Sequence, residues 1–239
     1  YGDYKFLYIS PERLATELFI TKVRSMRVSM ITVDESHCIS QWGYDFRPAY
    51  LKIADIRKLL PDIPVLALTA TATPPVAKDI QDKLLFREGS RVIRMSFERE
   101  NLAYIVRKTE NKIETLMHIL ETIAGSAIVY TRSRKRTKEI ADRLNREGVT
   151  ATFYHAGLND DVKDLRQKAW VNDEIRVMVA TNAFGMGIDK PDVRSVVHAD
   201  IPDSPEAYFQ EAGRAGRDGH KAYAILLYAK GDNTALNKR

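Results

Sequence analysis

The chain has 239 residues, of which 37 are basic and 32 acidic, so its net charge at neutral pH is +5. Hydrophobic residues make up 44% and charged residues 29%, which is typical of a globular protein and excludes a disordered or fibrous one. The longest apolar run, 222–229, is far shorter than the roughly 20 residues of a membrane-spanning helix. The single cysteine, Cys38, excludes an internal disulfide and a zinc site of the CxxC type, and favours a reducing, intracellular compartment.

Short β-rich runs alternate with stretches of helical periodicity along the whole chain. The first part predicts strands at 4–9, 30–33, 65–69 and 92–95, and helices at 11–21, 48–60 and 74–85, the first helix capped by Ser10. The remainder predicts strands at 102–108, 127–131, 149–154, 176–180, 193–198 and 222–228, and helices at 112–123, 135–147, 160–171 and 205–212. This alternation is typical of α/β proteins with parallel sheets and right-handed crossovers. We therefore expect an α/β fold of two parallel-sheet lobes, with the boundary near Arg99.

Ligands of parallel sheets bind at the carboxyl ends of the strands, so the loops that follow the predicted strands are where chemistry is expected. Asp34 and Glu35 directly follow the strand at 30–33. One carboxylate there can hold Mg²⁺, and the other can orient or deprotonate a water that attacks a phosphate. A solvated turn would also contain two acids, so these residues by themselves leave both interpretations open.

Longer strings of residues resemble one family. Residues 34–37 (DESH) are similar to a DEAH-type Walker B box, with Ser36 where Ala is usual. Residues 38–48 (CISQWGYDFRP) closely resemble the aromatic-rich loop of RecQ-family DNA helicases of superfamily 2, which usually have His where Tyr44 stands. One further string precedes these, at 10–14 (motif Ib), and four follow them, at 68–73 (motif III), 154–158, 180–191 (motif V) and 210–219 (motif VI). All stand in the family's order. The resemblance implies two RecA-like lobes, of which residues 1–99 form the later part of the first and residues 100–239 form the second.

The resemblance also implies roles for particular residues in binding and hydrolysing ATP with Mg²⁺. The catalytic residues would be Asp34, Glu35, His37, Arg214 and Arg217, with Arg217 as the arginine finger. The nucleotide would also contact Gly187, Asp189 and Gln210, and Asp34 would hold Mg²⁺ together with Glu35 through a water. Thr69 and Thr71 would couple the nucleotide site to DNA. The alternative for Arg214 and Arg217 is a pair of surface arginines.

A second set of residues would contact DNA. These are Ser10, Arg13, Trp42, Tyr44, Phe46, Arg47, Thr131, Ser133, His155, Gly157 and Thr181. The rings of Trp42, Tyr44 and Phe46 either form a stacking platform for unpaired bases or pack as a small hydrophobic cluster under the loop. Arg13 has the alternative of pairing with Glu12 or Glu17, and a lone histidine such as His155 is more often structural.

The phosphate-binding string GxxxxGK[ST] does not occur in these 239 residues. Since the first residue is Tyr1 rather than Met, we expect a piece of a longer protein, with that loop before residue 1 and a zinc-binding module after residue 239. On this expectation the first lobe is incomplete, the chain by itself hydrolyses ATP negligibly, and no zinc site lies within it.

The function that the resemblance implies is that of an ATP-dependent DNA helicase. It would move 3′-to-5′ along single-stranded DNA and unwind duplexes during repair and recombination. Its partners would be single-stranded and partially duplex DNA and ATP, with no membrane. It would be located in the cytoplasm or nucleoid of a bacterium or in the nucleus of a eukaryote, and would not be secreted. Two alternatives stay open, namely a DEAD-box-like RNA helicase and, from another class, a non-catalytic DNA-binding module.

Overall fold

The computed structural model describes residues 4–43, 45–185 and 188–232, and the chain folds as two compact units, Tyr1–Met95 and Ser96–Arg239. The division lies a few residues before the boundary expected near Arg99. Arg99 belongs with the second unit because its guanidinium donates to the backbone carbonyls of Gly213 and Gly216. The side chain of Asn101 donates to the same Gly216 carbonyl.

The first unit contains a two-stranded parallel sheet of β1 (Ile31–Val33) and β2 (Val65–Ala67). Its helices are α1 (Glu17–Val23), α2 (Lys52–Leu59) and α3 (Pro74–Lys83), with 3₁₀ turns at Pro11–Ala15, Ser36–Ile39 and Pro48–Leu51. Aliphatic side chains from these elements form one core, which includes Leu14, Val33, Ile39, Ile53, Ile56, Val76, Ile80 and Leu84.

Three of the predicted elements of the first unit are wrong. Residues 4–9 and 92–95 form no strand, and Tyr4, Phe6 and Tyr8 are largely exposed. An apolar run becomes a strand only where a neighbour completes its hydrogen-bond ladder, and no described strand pairs with either segment. The helix predicted at 11–21 is interrupted at Thr16, whose backbone is extended and whose hydroxyl caps α1 by accepting from the Phe19 N–H.

The second unit contains a six-stranded parallel sheet with the strand order β3-β8-β7-β4-β6-β5. The strands are β3 (Leu102–Lys108), β4 (Ser126–Tyr130), β5 (Ala151–Tyr154), β6 (Val177–Ala180), β7 (Val193–His198) and β8 (Ala222–Tyr228). The helices are α4 (Lys112–Thr122), α5 (Arg134–Arg146), α6 (Asp160–Val171) and α7 (Pro205–Ala212). This arrangement confirms the predicted α/β class with a parallel sheet.

Helices cover both faces of this sheet. Along β4, Ala127 and Val129 pack with α4 and α5, whereas Ile128 and Tyr130 pack with Trp170 of α6 and Ala212 of α7. Every residue of β4 and β6 is buried, so these central strands read as continuous apolar runs rather than alternating ones.

The carboxyl ends of the central strands lie side by side. Tyr130 pairs with both Ala180 and His198, and Tyr154 pairs with Ala180. The residues that follow β5, β6, β4 and β7 therefore emerge at one edge of the sheet. No helix in the described part of the chain is long and apolar enough to cross a membrane.

Candidate functional site

The two carboxylates after β1 sit on a strained turn. Glu35 has a left-handed backbone, with φ 48° and ψ 41°, which side chains other than glycine adopt at a cost. The turn is held by the Ser36 N–H, which donates to the Leu68 carbonyl after β2, and by the Glu35 N–H, which donates to Asp34 Oδ1. Asp34 is exposed and Glu35 is half-buried, so both carboxylates remain available to a ligand.

His37 joins this turn to the loop after β2. Its ring is buried, and its Nδ1 lies 3.1 Å from Thr69 Oγ1 and 3.4 Å from Glu35 Oε2. Burial lowers the pKa of His37 against the opposing effect of Asp45, so the neutral ring is favoured at neutral pH. Both contacts are made by Nδ1, so one ring nitrogen lies close to the Thr69 hydroxyl and to the Glu35 carboxylate.

Of the two threonines predicted to couple the sites, Thr69 contacts this ring and Thr71 is hydrogen-bonded to Thr69. Thr69 Oγ1 also accepts from the backbone N–H of Thr71, which fixes the loop after β2. The Thr71 hydroxyl is buried without a hydrogen-bond partner among the described residues. A buried hydroxyl without a partner is costly. The Thr71 hydroxyl can therefore gain a hydrogen bond if this loop changes conformation.

The aromatic loop is closed at its base. The Arg47 N–H donates to the Cys38 carbonyl over 2.8 Å, and the Arg47 guanidinium donates to Asp45 Oδ2 over 2.6 Å. Gly43 lies against the turn that carries His37, since a Cβ there would be 2.7 Å from the His37 carbonyl oxygen. The loop is therefore packed directly on the segment that follows Asp34 and Glu35.

The rings of this loop differ in exposure. Trp42 is 80% exposed, whereas Phe46 is half-buried with Lys83 Nζ 5.9 Å from its ring centroid. Trp42 therefore does not belong to a hydrophobic cluster beneath the loop. Tyr44, predicted to contact DNA, lies outside the described residues.

Ser10 and Arg13 lie at a 3₁₀ turn, Pro11–Ala15, rather than at the start of an α-helix. Ser10 occupies the N-cap position, as predicted, but its side chain makes no capping hydrogen bond to the turn. Arg13 is exposed and forms no ion pair within the described part of the chain, so the alternative pairing with Glu12 or Glu17 is absent there.

In the second unit, three residues predicted to contact DNA follow three neighbouring strands. Thr131 follows β4, His155 follows β5 and Thr181 follows β6. Thr131 and Thr181 are buried, and the Thr131 hydroxyl donates to Asp200 Oδ2 over 2.6 Å. Ser133 caps α5 by accepting from the Arg136 N–H. The hydroxyls of Thr131 and Ser133 are thus already engaged within the unit.

His155 lies in a basic groove. Its ring stacks on Phe153, and the groove is also lined by three basic residues, Arg134, Lys135 and Lys138, and by two acidic ones, Glu139 and Asp142. Burial and then the cations Arg134 and Arg166 lower the pKa of His155, which favours the neutral ring. Gly157 lies against the Arg134 guanidinium. Clustered cations and an aromatic surface at a strand end suit a nucleic-acid backbone.

Arg214 and Arg217 both reach back to the loop after β6. Arg214 donates to the Gly185 carbonyl, and a Cβ on Gly185 would lie 2.7 Å from Arg214 Nη2, so a side chain here would displace the Arg214 guanidinium. Arg217 Nη1 lies 3.1 Å from the Ile188 carbonyl and 3.6 Å from Asp189 Oδ1. The predicted residues of motifs V and VI are therefore brought together, although Gly187 lies outside the described residues. Gln210 is half-buried near the end of α7.

Three features of these sites were not predicted. Asp200, just after β7, accepts from Thr131, the Arg132 N–H and Arg136. His198 at the end of β7 is buried, with Nε2 2.8 Å from Glu211 Oε2. Cys38 contacts Asp45 of the aromatic loop. The available signal was that Asp200 and Cys38 follow predicted strands. The partners of Asp200 are distant in sequence, and the contact of Cys38 with Asp45 depends on how the loop between them folds.

Comparison with known proteins gives a consistent result. The family model for DEAD/DEAH box helicases matches residues 1–80, and that for the helicase conserved C-terminal domain matches residues 111–219. ATP-dependent DNA helicase RecQ of Bacillus subtilis (strain 168) is 48% identical over 233 residues, which cover 97% of this chain and 39% of that protein. RecQ-like DNA helicase blm-1 of Caenorhabditis elegans is 41% identical, over 98% of this chain and 25% of that protein.

A solved structure extends the comparison to the fold. Saccharomyces cerevisiae Dbp5 bound to RNA and ADP BeF3 aligns with a TM-score of 0.68 at 21% identity, over 92% of this chain and 59% of that chain. At this identity the likeness concerns the fold alone. The chain spans less than half the length of the two curated relatives.

Proposed function

This chain belongs to the RecQ family of DNA helicases, and from that premise we propose that its protein couples ATP hydrolysis to movement along single-stranded DNA. Movement runs 3′-to-5′, separates duplex DNA and serves repair and recombination in the nucleoid or nucleus; these three points rest on the family resemblance alone. ATP and Mg²⁺ are the cofactors, and single-stranded and partially duplex DNA the substrates. The residue roles given by the resemblance are part of the proposal.

The observation that carries the proposal is the packing of the aromatic loop on the turn of Glu35. An exposed ring, Trp42, stands on a loop whose base is hydrogen-bonded to Cys38, next to His37. His37 in turn lies within 3.4 Å of Glu35 Oε2. A base stacked on Trp42 therefore acts on the same short segment that would activate the attacking water, which is what DNA-dependent hydrolysis requires.

The second unit contains the arginine that would stabilise negative charge during the proposed ATP hydrolysis. Arg217 keeps 40% of its side chain exposed while its guanidinium donates to the Ile188 carbonyl in the loop after β6. An exposed guanidinium can neutralise charge that develops on a γ-phosphate, so Arg217 is the arginine finger. Asp34 supplies the oxygen ligand for Mg²⁺, with Glu35 acting through a water. The groove of Arg134, His155 and Gly157 follows the DNA backbone.

The test is steady-state ATP hydrolysis by the full-length protein with single-stranded DNA, with single-stranded RNA of the same sequence, and with neither. We expect DNA to stimulate turnover and RNA to do so at least about tenfold less, a difference of about 1.4 kcal/mol. Equal or stronger stimulation by RNA would favour the RNA-helicase alternative. DNA binding that is unaffected by nucleotide, with no hydrolysis, would favour the non-catalytic module.

Arg217→Ala in the same assay separates the finger from a structural arginine. Turnover should fall far more than nucleotide affinity, because the guanidinium acts on charge that is present only in the transition state. Arg194→Ala is the matched control, since Arg194 is an arginine of the same unit that pairs with Asp218 and has no assigned role in the reaction. A parallel loss of affinity in Arg217→Ala would reassign Arg217 to ground-state binding.

A further inference from the structure

Three metal-binding side chains meet where the aromatic loop packs on the turn after β1. His37 Nε2 lies 3.7 Å from Cys38 Sγ, and Cys38 Sγ lies 3.8 Å from Asp45 Oδ2. The three potential ligand atoms all lie within 4.8 Å of one another. We propose that His37, Cys38 and Asp45 bind one transition-metal ion of the Zn²⁺ class, a site distinct from the Mg²⁺ position assigned to Asp34.

The spacing is close to that of a tetrahedral zinc shell. Bonds of about 2.3 Å to sulfur and about 2.1 Å to nitrogen or oxygen place neighbouring ligand atoms about 3.6 Å apart. The two distances from Cys38 Sγ already match this value, so only the third edge, between His37 and Asp45, has to shorten. Three protein ligands leave the fourth position to a water, and Asp45 provides an open side because 41% of its side chain is exposed.

The histidine is oriented as a ligand would be. Its Nδ1 is hydrogen-bonded to Thr69 Oγ1, which leaves Nε2 facing Cys38 Sγ. A ligating histidine usually has such a partner on its other nitrogen, which fixes the ring and its tautomer. His37 and Cys38 are both at most 2% exposed, so little reorganisation is needed to fix them.

The donor set determines the class of ion. Thiolate and imidazole ligands favour Zn²⁺ and Co²⁺, whereas Mg²⁺ prefers oxygen ligands alone. The expectation that this chain holds no zinc site rested on its single cysteine and on placing a zinc-binding module after residue 239. A site built from three different ligand types does not require a second cysteine. An ion here ties Asp45 to the segment that carries Asp34 and Glu35.

Arg47 is the internal competitor for the metal. Its Nε and Nη2 lie 3.1 and 2.6 Å from Asp45 Oδ2, the oxygen that faces Cys38. A bound cation must displace or share this guanidinium. Removing the guanidinium should therefore strengthen metal binding, an outcome that a purely structural polar cluster would not produce.

The experiment is a Co²⁺ titration of the metal-free 239-residue chain, followed by near-ultraviolet absorption. A thiolate-to-Co²⁺ charge-transfer band can report only Cys38, because the chain has one cysteine. We expect a band that saturates at one Co²⁺ per chain and is displaced by Zn²⁺. His37→Gln and Asp45→Asn should each weaken Co²⁺ binding at least about tenfold, and Arg47→Gln should strengthen it.

Matched controls are His118→Gln and Asp55→Asn, which change an exposed histidine and an exposed aspartate of other elements and should leave the titration unchanged. Absence of the band would overturn the proposal, as would an affinity that is unchanged in both His37→Gln and Asp45→Asn, since that is binding to a lone thiol. If circular dichroism shows that a ligand variant does not fold, Co²⁺ binding by Arg47→Gln becomes the deciding measurement. Unchanged or weaker Co²⁺ binding by this variant would count against the site. The assay uses neither ATP nor DNA, so its outcome is independent of the proposed helicase function.

Discussion

Glu35 combines a strained backbone with a carboxylate that faces a buried histidine. Its left-handed conformation is held by hydrogen bonds on both sides, at Asp34 and at Ser36. Strain of this kind costs on the order of 1–3 kcal/mol and persists only where the surroundings impose it. The turn therefore holds the Glu35 carboxylate at one position relative to His37, which suits a group that positions a water.

Glu35→Gln tests this role, because it keeps the shape of the side chain and removes its charge. We expect ATP turnover in the full-length protein to fall by about 10²–10⁴, the usual contribution of a positioned base, while nucleotide affinity changes little. Turnover and nucleotide binding should be measured separately. Glu17→Gln, at an exposed position of α1, is the control and should match the wild type. Turnover near the wild-type value in Glu35→Gln would exclude a base at this position.

Substitution of Trp42 should affect single-stranded DNA binding without affecting the stability of the fold. With 80% of the residue exposed, Trp42→Ala should change the free energy of unfolding by less than about 0.5 kcal/mol. Loss of a stacking ring should weaken single-stranded DNA binding by about 1–3 kcal/mol, and DNA should stimulate hydrolysis less. Trp42→Phe keeps a ring and should retain most of both properties. A destabilised Trp42→Ala with normal DNA binding would instead show that the ring packs within the protein.

The elements of the second unit show where sequence patterns suffice. The predicted bounds of β3, α6, β7, α7 and β8 are confirmed residue for residue. At α7, Ser204 caps the helix and Pro205 occupies its first turn, so local signals and packing agree. In the first unit the strands at 4–9 and 92–95 were wrong, because hydrophobicity does not specify a partner strand.

The sequence predicted which loops carry the residues of the candidate site, but not which side chains contact each other. Asp34, Thr131 and His155 were predicted to follow strand ends, and each lies at the carboxyl edge of a parallel sheet. The pairing of Thr131 with Asp200 depends on the register of β4 against β7, which no local pattern reports. The contact of Cys38 with Asp45 likewise depends on how the aromatic loop folds back.

Asp200 ties the end of β7 to the end of β4 and to α5, and this tie predicts a pH dependence. Burial raises the pKa of Asp200, but hydrogen bonds from Thr131 and Arg132 and the charge of Arg136 outweigh it, so the pKa is lowered. A carboxyl group with a lowered folded-state pKa stabilises the fold above its unfolded value of about 3.9. That contribution is lost as the pH falls through the folded-state pKa.

The measurement is the difference in unfolding free energy between the wild type and Asp200→Asn, followed from neutral pH to acid. We expect Asp200→Asn to be less stable at neutral pH and the difference to shrink below about pH 4. In a Trp42→Phe background the buried Trp170 is the remaining tryptophan and reports the second unit. Asp164→Asn, at an exposed carboxylate of α6 in the same unit, should show no such trend. A difference that is constant with pH would mean that the Asp200 charge does not stabilise the fold.

At the scale of the whole molecule, the two units differ in how completely their sheets are built. The second unit has six paired strands with core residues on both faces, many of them with no exposed area. Among its described residues the first unit has two strands of three residues each, and it leaves the rings of Tyr4, Phe6 and Tyr8 in solvent. Burial of apolar area is the main stabilising term in folding, so the second unit should be the more stable of the two.

We therefore expect residues 96–239 to fold as an independent domain. Expressed alone, this fragment should unfold cooperatively, with Trp170 fluorescence and the helical circular dichroism signal changing together. Limited proteolysis of the 239-residue chain should leave a resistant fragment that begins near residue 96, because protection from cleavage follows local stability. Residues 1–95 expressed alone are the comparison, and this fragment should be cleaved faster than the 96–239 fragment. A resistant core near residues 1–95, or a non-cooperative transition of the 96–239 fragment, would show that the second unit depends on the first for its stability.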